Sequence, residues 1–577
     1  MKYLLFIIFL TLPLACLSQE ISLEPIFIEK SFSSASLAST DYFYSDDVQS
    51  LPFFSPEEII DYSSSVDLRK RSGSGIQSDV SLRGSIFEDT SIRIGGLEIN
   101  DPQTGHFNLE IPLTSADIQE VEIFKNSQTI NFSLKKPKKE GALLESFYGQ
   151  HALNEQLLSI NFPLKEFSNR LSVEHKVSSG GRQDSDFEIY NFSYHSLLED
   201  DSKEIEFLFA ATQRDFGAAD FYSVKFPHQE EHITQELFSL SGKTKNQPVN
   251  LTPRLYLRRH SDKFILNRHN PPFYTNYHTT YVYGLDNQFD FSNGLFFGLN
   301  IEREKVTSTN LKNHRRLNKG FSLGAREKRI GDLAFDLNAG LNYYESFQYL
   351  DQAHLGLRYF FSDDFSLRFS FDRIWRAPSF TELYYVSSTD VGNSSLGAQQ
   401  SNNFELGTDL FLNQDLRLSL NSFLRNQHDT IDWVKNTSSA AWQANNVGTV
   451  NAYGLDCSLE AELNILLLEK INFSYTYLAL DKESAYNFSK YVFDYDRHKL
   501  VSRFKFDLKG VDLNTVVNFS HPLTRKNYTT VDLKAEKKFG QLSLILEGNN
   551  IFNRSYQEMA DISTSGRWYK CGLSYSF

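Results

Sequence analysis

The end of the chain alternates between apolar side chains and polar or small ones. The apolar positions are Tyr569, Cys571, Leu573, Tyr575 and Phe577, and the intervening positions are Lys570, Gly572, Ser574 and Ser576. An amphipathic strand of about ten residues crosses a bilayer only within a closed barrel, because an open sheet edge would leave backbone groups unpaired in hydrocarbon. The ending therefore predicts a membrane-spanning β-strand with Cys571 and Phe577 facing lipid and Lys570 facing the lumen.

The same alternation recurs from about residue 140 onward, separated by turn residues. Clear examples lie at 333–343, 355–361, 365–371 and 453–461. At about 20 residues per strand and connection, the segment 140–577 holds roughly 22 strands. We therefore predict an all-β membrane protein, an antiparallel transmembrane β-barrel of about 22 strands at 140–577 with its polar face inside.

The first residues indicate export. Lys2 precedes an apolar run at 3–14, and smaller residues follow, which is typical of a signal peptide at 1–18 with cleavage near Ser18. Cys16 raises the alternative of lipidation, which Pro13 disfavours. No later stretch reaches the roughly 18 apolar residues of a spanning helix. We predict the outer membrane of a Gram-negative bacterium.

Composition agrees with a barrel and excludes other classes. Aromatic residues make up 14% of the chain, with 49 Phe and 29 Tyr, and these types suit strands and membrane interfaces. The net charge of -14 argues against a nucleic-acid partner, because phosphate binding needs a basic face. Cys457 and Cys571 occupy apolar positions of the alternating segments, which favours lipid-facing or buried side chains over a disulfide or metal pair.

Residues 49–139 lack barrel alternation and predict a separate mixed α/β domain. Ser55 followed by Pro56 and Glu58 is typical of a helix start, and short strands are predicted at 79–83, 91–94 and 120–124. A barrel of about 22 strands would leak unless its lumen were filled. A domain of about ninety residues is small enough to be that plug.

Several segments resemble one family in order and spacing. They are SPEEII at 55–60, QSDVSLRG at 77–84, INDPQTGHFN at 99–108, IQEVEIFK at 118–125, RAPSFTELYY at 376–385, FELG at 404–407, NVG at 446–448 and NNIFNRSY at 549–556. Together they resemble TonB-dependent outer-membrane receptors, nearest to those for cobalamin and siderophores. The resemblance implies energy-coupled uptake of a large scarce nutrient, most directly an iron-siderophore or cobalamin-type chelate. It also implies the periplasmic protein TonB as partner, a monomer in lipid and lipopolysaccharide, and no cofactor.

The segment 19–48 resembles a TonB box with its linker. The box residues are Leu23, Glu24, Pro25, Ile26, Phe27 and Ile28. An extended apolar segment can add as a strand to a partner's sheet edge and transmit a pull. The Ser-, Ala- and Asp-rich stretch 31–47 would be a flexible tether. The alternative is an N-terminus without such a role.

Two sets of residues are candidates for ligand contact. The plug-loop set is Ser74, Gln77, Asn100, Gln103, His106 and Asn108, and the barrel-loop set is Arg214, His228, His260, His269 and Tyr274. Their amide, imidazole and guanidinium groups supply directional hydrogen bonds and charge. The alternatives are plug loops that only touch the barrel wall and histidines that only line polar loops. No metal site is predicted, because the histidines lack tight ligand spacing, and the motifs of hydrolases and phosphate-binding enzymes are absent from the sequence.

The chain departs from the family pattern at two places. Gly95-Gly96 stands where the family usually has Asp-Gly, and about fifteen residues of the family's Gly-rich stretch are missing after Asn126. Two explanations remain open: either the plug closes differently or the receptor is impaired. The second would make the protein a plugged surface barrel that binds or senses a ligand without transporting it.

Overall fold

The computed structural model describes residues 37–577 except 74, 139, 223–224, 466, 484–485, 493–494, 560–561, 563 and 565. The predicted signal peptide, the TonB box and Ser74 lie outside the described residues. The described chain holds two helices, four 3-10 helices and 33 strands. No helix within the described ranges is long and apolar enough to cross a membrane.

The N-terminal elements build the plug. In chain order they are β1 (Thr40–Phe43), α1 (Ser45–Ser50), a 3-10 helix (Pro56–Tyr62), β2 (Val66–Lys70), β3 (Ser78–Leu82), β4 (Ser91–Ile94), β5 (Leu97–Glu98), 3-10 helices (Gly105–Phe107 and Ser115–Asp117), β6 (Ile118–Phe124) and β7 (Thr129–Leu134).

The remaining elements form the barrel and its outer loops. They are β8 (Gly141–Gly149), β9 (Asn154–Leu164), β10 (Phe167–Ser178), β11 (Phe187–Glu199), β12 (Lys203–Gly217), β13 (Glu230–Thr244), β14 (Val249–Ile265), a 3-10 helix (Pro271–Phe273), β15 (Thr275–Phe291), β16 (Leu295–Ser308), β17 (Lys312–Ile330), β18 (Leu333–Tyr344), β19 (Gln348–Phe360), β20 (Phe365–Arg376), α2 (Phe380–Tyr384), β21 (Asp390–Val391), β22 (Gln399–Asn413), β23 (Leu416–His428), β24 (Ile431–Lys435), β25 (Trp442–Asn446), β26 (Val450–Ile465), β27 (Leu468–Lys482), β28 (Phe488–Ser489), β29 (Asp496–Asp507), β30 (Val511–Pro522), β31 (Tyr528–Phe539), β32 (Leu542–Asn549) and β33 (Trp568–Ser576).

Twenty-two of these strands close into one antiparallel barrel, as predicted. The final strand β33 pairs with the first, β8, so that Ser574 lies opposite Glu145. The remaining short strands β21, β25, β24 and β28 form a small sheet in the outer loops. Closure gives every barrel strand two neighbours, which is the condition for crossing hydrocarbon.

Side chains of the barrel point alternately outward and into the lumen, as the alternation of apolar and polar residues in the sequence predicts. Leu255, Leu285 and Leu323 are each about half exposed on the outer surface. Charged side chains are instead buried in the lumen: Lys570 is 5% exposed and lies 3.2 Å from Glu155. This inversion of the usual pattern matches an exterior solvated by lipid.

The plug contains a five-stranded sheet in the order β1-β6-β7-β4-β5 and a β2-β3 hairpin. The strands predicted at 79–83, 91–94 and 120–124 correspond to β3, β4 and β6. The predicted helix after Ser55 is a 3-10 helix. Ser55 donates to Glu57 at 2.5 Å rather than capping the helix, and Glu58 accepts from the Phe54 N–H at 3.0 Å.

The plug begins earlier than the sequence predicted. Thr40–Phe43 pairs antiparallel with β6, and α1 follows it directly. The predicted tether at 31–47 and the domain boundary at 49 therefore differ from the structure over residues 40–48. Pairing with β6 overrides the polar, small-residue composition that suggested a linker.

Both departures from the family pattern form regular turns. Gly95 and Gly96 have φ of 54° and 78° and join β4 to β5, a backbone path that glycine adopts at little steric cost. After Asn126 a short turn leads directly into β7, and Gln128 takes a positive φ of 54°. Asn126 also donates to Asp372 of the barrel wall at 2.5 Å. The plug sheet therefore closes without the Gly-rich stretch.

Candidate functional site

The outer face of the plug meets the barrel loops in a polar and aromatic cluster. Arg71 follows β2 and donates from Nη1 to the Phe221 carbonyl at 2.7 Å. Its Nη2 lies 2.8 Å from Asp79, and its guanidinium carbon lies 5.5 Å from the Tyr222 ring centroid. Arg71 thus joins plug and loop while its charge faces an aromatic ring.

His106 lies beside this arginine. Its Nδ1 is 2.7 Å from Asp79 Oδ1, and its ring stacks on Phe87 with centroids 4.2 Å apart. Burial alone would raise the pKa of Asp79, but His106 and Arg71 hold it well below its usual range. Asp79 is therefore a carboxylate that orients both neighbours. We define Arg71, Asp79, Phe87, His106 and Tyr222 as the outer cluster.

A loop residue extends the cluster towards solvent. The Tyr491 ring meets Phe87 edge-on at 5.0 Å. The exposed Lys490 beside it lies 3.0 Å from Asp390 and places its Nζ 5.8 Å from the Trp433 centroid. A cation over aromatic rings at a solvent boundary is suited to anionic or aromatic ligands.

Most of the predicted plug-loop residues have structural partners. Gln77 is fully buried and donates to the Tyr222 hydroxyl at 2.6 Å. Asn100 bridges the Ile92 N–H and the Thr90 carbonyl, both within β4 or next to it.

The other two amide residues are also buried. Asn108 accepts from the Asp101 N–H at 2.9 Å, and the Gln103 carbonyl accepts from Thr381 N–H at 3.0 Å. The segment that holds them is thereby attached to loop helix α2. His106, from the plug-loop set, belongs to the outer cluster, and its side chain is 15% exposed.

Two predicted barrel-loop residues are instead buried in strands. Arg214 lies in β12 and is 1% exposed, with Nε 2.8 Å from Glu110 and Nη1 2.6 Å from the Gly75 carbonyl. His260 lies in β14, fully buried, and packs on Phe107 at 4.5 Å. Their predicted position in loops was wrong, because β12 and β14 extend to 15 and 17 residues and carry these side chains into the lumen. Their contact with a ligand stays a prediction.

The other three lie in outer loops, as predicted. His228 Nδ1 is 2.5 Å from Asp184 Oδ2, and the rings of His228 and His269 are 4.8 Å apart. Tyr274 is partly exposed and accepts from Asn276 at 2.8 Å.

Sequence reasoning missed most of the outer cluster. Arg71, Asp79, Phe87 and Tyr222 lie in segments that show no alternation, and the pairing that brings plug and loop together spans about 150 residues. Gly73 and Gly75 are a sequence signal for a turn after β2, and Arg71 lies two residues before Gly73.

Ion pairs across the lumen hold the plug in place. Each pair joins one residue of the plug to one residue of the barrel, with the cation on either side, and each pair is largely buried. They include Arg83 with Asp456 (2.5 Å) and Glu405 (2.6 Å), Arg170 with Asp117 (3.0 Å), Arg214 with Glu110 (2.8 Å), Arg258 with Asp101 (2.8 Å), and Lys499 with Asp61 (2.7 Å). Removing one member would leave a buried charge unpaired, so the pairs fix one plug position.

Comparisons with known proteins agree with this architecture. Residues 33–136 match the TonB-dependent receptor plug domain, and residues 175–551 match the TonB-dependent receptor-like β-barrel. Among curated proteins no sequence matches this chain.

Solved structures share the fold at low identity. The siderophore receptor PirA from Pseudomonas aeruginosa aligns with TM-score 0.73 and 13% identity, over 93% of this chain and 99% of that one. A variant of the ferric enterobactin receptor PfeA from Pseudomonas aeruginosa gives 0.76 and 14%, over 95% and 100%. The FrpB iron transporter from Neisseria meningitidis gives 0.73 and 14%, over 90% and 96%. The family and these neighbours are receptors and transporters rather than enzymes. With its plug and 22-stranded barrel matched over most of their length, the chain belongs to the TonB-dependent receptor family.

Proposed function

We propose that this receptor imports a large metal chelate across the outer membrane of a Gram-negative bacterium, with an iron-siderophore as the best-supported class. The observation that carries the proposal is the outer cluster beneath Lys490, which combines cations, a carboxylate-held imidazole and aromatic rings above a closed plug. The structural neighbours with siderophore or ferric-chelate names support the same class.

The chemistry of the cluster suits an anionic, aromatic shell better than a neutral one. Lys490 can pair with carboxylate or catecholate oxygens, the buried Arg71 adds positive charge beneath it, and Tyr222, 43% exposed, offers a ring face. A cobalamin-type chelate is the alternative ligand, but two cations favour an anionic siderophore shell over it. The ligand would reach the cluster from the loop side, because the plug fills the lumen below it.

Transport requires a coupling to energy. We assign this to residues 23–28 as a TonB box that adds as a strand to the periplasmic TonB protein. Lipid and lipopolysaccharide surround the barrel, and a closed barrel with a filled lumen functions as a monomer.

Uptake assays in cells that lack other chelate receptors test the proposal. Cells carrying the full chain should accumulate radiolabelled iron from at least one siderophore and not labelled cobalamin, and a proton uncoupler should stop accumulation. Deletion of residues 23–28 should keep surface binding and abolish uptake. Normal uptake by that deletion would refute the TonB-box assignment. Binding without uptake by the full chain would instead establish the plugged sensing barrel.

A loop substitution tests the binding surface. Lys490→Ala should weaken siderophore binding by about tenfold, the scale of a partly exposed ionic and cation–π contact. Lys526→Ala removes the same charge from another exposed outer loop and should leave affinity unchanged. Equal affinity of the Lys490→Ala variant and the full chain would remove the loop cation from the binding site.

A further inference from the structure

Three outer loops bring two imidazoles and one carboxylate together. Asp184 comes from the loop at 179–186, His228 from the loop at 218–229 and His269 from the loop at 266–274. One ligand atom from each lies within 4.8 Å of the other two. We propose that Asp184, His228 and His269 bind a divalent transition-metal ion of the zinc class at the outer mouth of the barrel.

Backbone bonds between the loops hold this geometry. The Arg268 N–H donates to the His228 carbonyl at 2.8 Å, and the Ala219 N–H donates to the Asp184 carbonyl at 3.3 Å. Gly217 permits the close approach, since a Cβ there would lie 2.4 Å from the Asp184 carbonyl oxygen. The three ligand residues are therefore positioned by packing between the loops rather than by chance exposure.

The histidine that ends the set has its own support. The His269 N–H donates to Asn267 Oδ1 at 3.0 Å, and the Asn270 N–H donates to the Asn267 carbonyl at 2.9 Å. This turn places the His269 ring 4.8 Å from the His228 ring in an edge-to-face arrangement.

The Asp184 and His228 ligand atoms require only a small adjustment, and the His269 atom, within 4.8 Å of both, has to move closer. His228 Nδ1 and Asp184 Oδ2 are 2.5 Å apart, the distance of a hydrogen bond. Bonds of about 2.0–2.1 Å to a tetrahedral ion would separate two ligand atoms by about 3.3 Å. Replacing the shared proton by the ion thus moves the two groups apart by less than about 1 Å. Three protein ligands leave a position for water, as in open zinc sites.

Neighbouring charges favour a cation there. Arg268 is a nearby positive group, and Asp186 at 2.6 Å and Glu230 at 3.0 Å compensate it. Arg268 also contacts the other Asp184 oxygen, Oδ1, at 3.4 Å, so it orients the carboxylate while leaving Oδ2 towards the histidines. Two imidazoles with one carboxylate select zinc, nickel, copper or cobalt over magnesium and calcium.

Metal binding at the mouth of the barrel is distinct from chelate uptake. Its three ligands are separate from the outer cluster, and an ion shared by three loops would fix their relative positions at the mouth. Failure of metal binding would leave the uptake proposal untouched, because the metal test uses no siderophore.

The test is zinc binding by the full-length receptor, purified in detergent and stripped of metal. Calorimetric titration with Zn²⁺ should give saturable binding of one ion per chain. His228→Gln combined with His269→Gln should abolish it, and Asp184→Asn should weaken it by at least about tenfold. His232→Gln is the matched control, because this partly exposed histidine pairs with Asp215 outside the set.

Two further measurements make the outcome decisive. A shift in gel mobility between unheated and heated samples shows that the barrel of each variant is folded. Zinc X-ray absorption should report two imidazole ligands in the full chain. The proposal is overturned by the absence of saturable binding, by full binding in the double variant, or by an equal loss in His232→Gln.

Discussion

Replacing Arg214 by Met tests whether buried ion pairs hold the plug in the lumen. Arg214 lies 2.8 Å from Glu110 and 3.3 Å from Glu57, and both carboxylates are 1% exposed. Methionine fills similar space without a charge. Both carboxylates would then be buried without their cation, and the carbonyls of Gly75 and Ile111 would lose a donor each.

The expected cost follows from these contacts. Breaking one buried pair by removing a partner costs about 3–5 kcal/mol. Part of it is relieved by protonation: burial, opposed by Arg214, already raises the pKa of Glu110 to about 7, and loss of Arg214 raises it further. We therefore expect the lower end of the range, about 3 kcal/mol, which increases local plug opening about 150-fold.

Hydrogen exchange of the full-length receptor in detergent measures this opening. Amides at 56–62 and 105–113 should exchange about 150-fold faster in Arg214→Met. Arg259→Met is the control, because Arg259 is 35% exposed and its partner Glu236 is 47% exposed, a pair that contributes at most about 1 kcal/mol. Adding Glu110→Gln to Arg214→Met should recover much of the protection. Exchange within about threefold of the unmodified receptor in a folded Arg214→Met variant would refute the reasoning.

Two further substitutions test local features. Burial, followed by the charge of Glu382, raises the pKa of Glu88 to about 8, so its folded form favours the proton. Protonated Glu88 therefore contributes its full stability to the plug below its unfolded pKa of about 4.3, and this contribution is lost as pH rises through about 8. Hydrogen exchange of the plug amides should be less pH-dependent in Glu88→Gln over that window. An unchanged pH profile of exchange would contradict the assignment. A Cβ on Gly284 would lie 1.8 Å from the Tyr256 ring. Gly284→Ala should therefore lower the stability of the barrel by about 1–3 kcal/mol, measured as heat modifiability on gels. Gly242→Ala should not, because the nearest atom to a Cβ there lies at 3.8 Å. Equal melting of the two variants would argue against ring packing at Gly284.

The barrel was predictable because one physical constraint applies to every strand. Each residue that faces lipid must be apolar, and the next faces a polar lumen, so a period of two appears even in the last nine residues. The parity of Lys570 and Cys571 followed directly. The number of strands followed from the average of about 20 residues per strand and connection, although individual strands range from 8 residues in β32 to 19 in β17.

The candidate site was less predictable because its contacts join segments far apart in sequence. Arg214 and His260 were assigned to loops, since the sequence does not show how far β12 and β14 extend beyond the membrane. Gln77 and Asn108 have the polar groups of ligand contacts, and the same groups satisfy buried backbone or side-chain partners. Only the structure distinguishes these two uses of an amide.

The plug's first described residues are coupled to one of its central ion pairs. The Ser39 N–H donates to Glu405 Oε1 at 3.0 Å, and Arg83 contacts the other oxygen, Oε2, at 2.6 Å. Ser39 precedes β1, a four-residue edge strand held by β6 alone in its sheet. A pull on the N-terminal segment would reach this edge strand and the Glu405 contact before the pairs of Arg214 or Arg258. Because Arg83 keeps Asp456 when Glu405 is disturbed, we expect the first displacement to loosen one wall of the plug while the remaining pairs hold the rest in place.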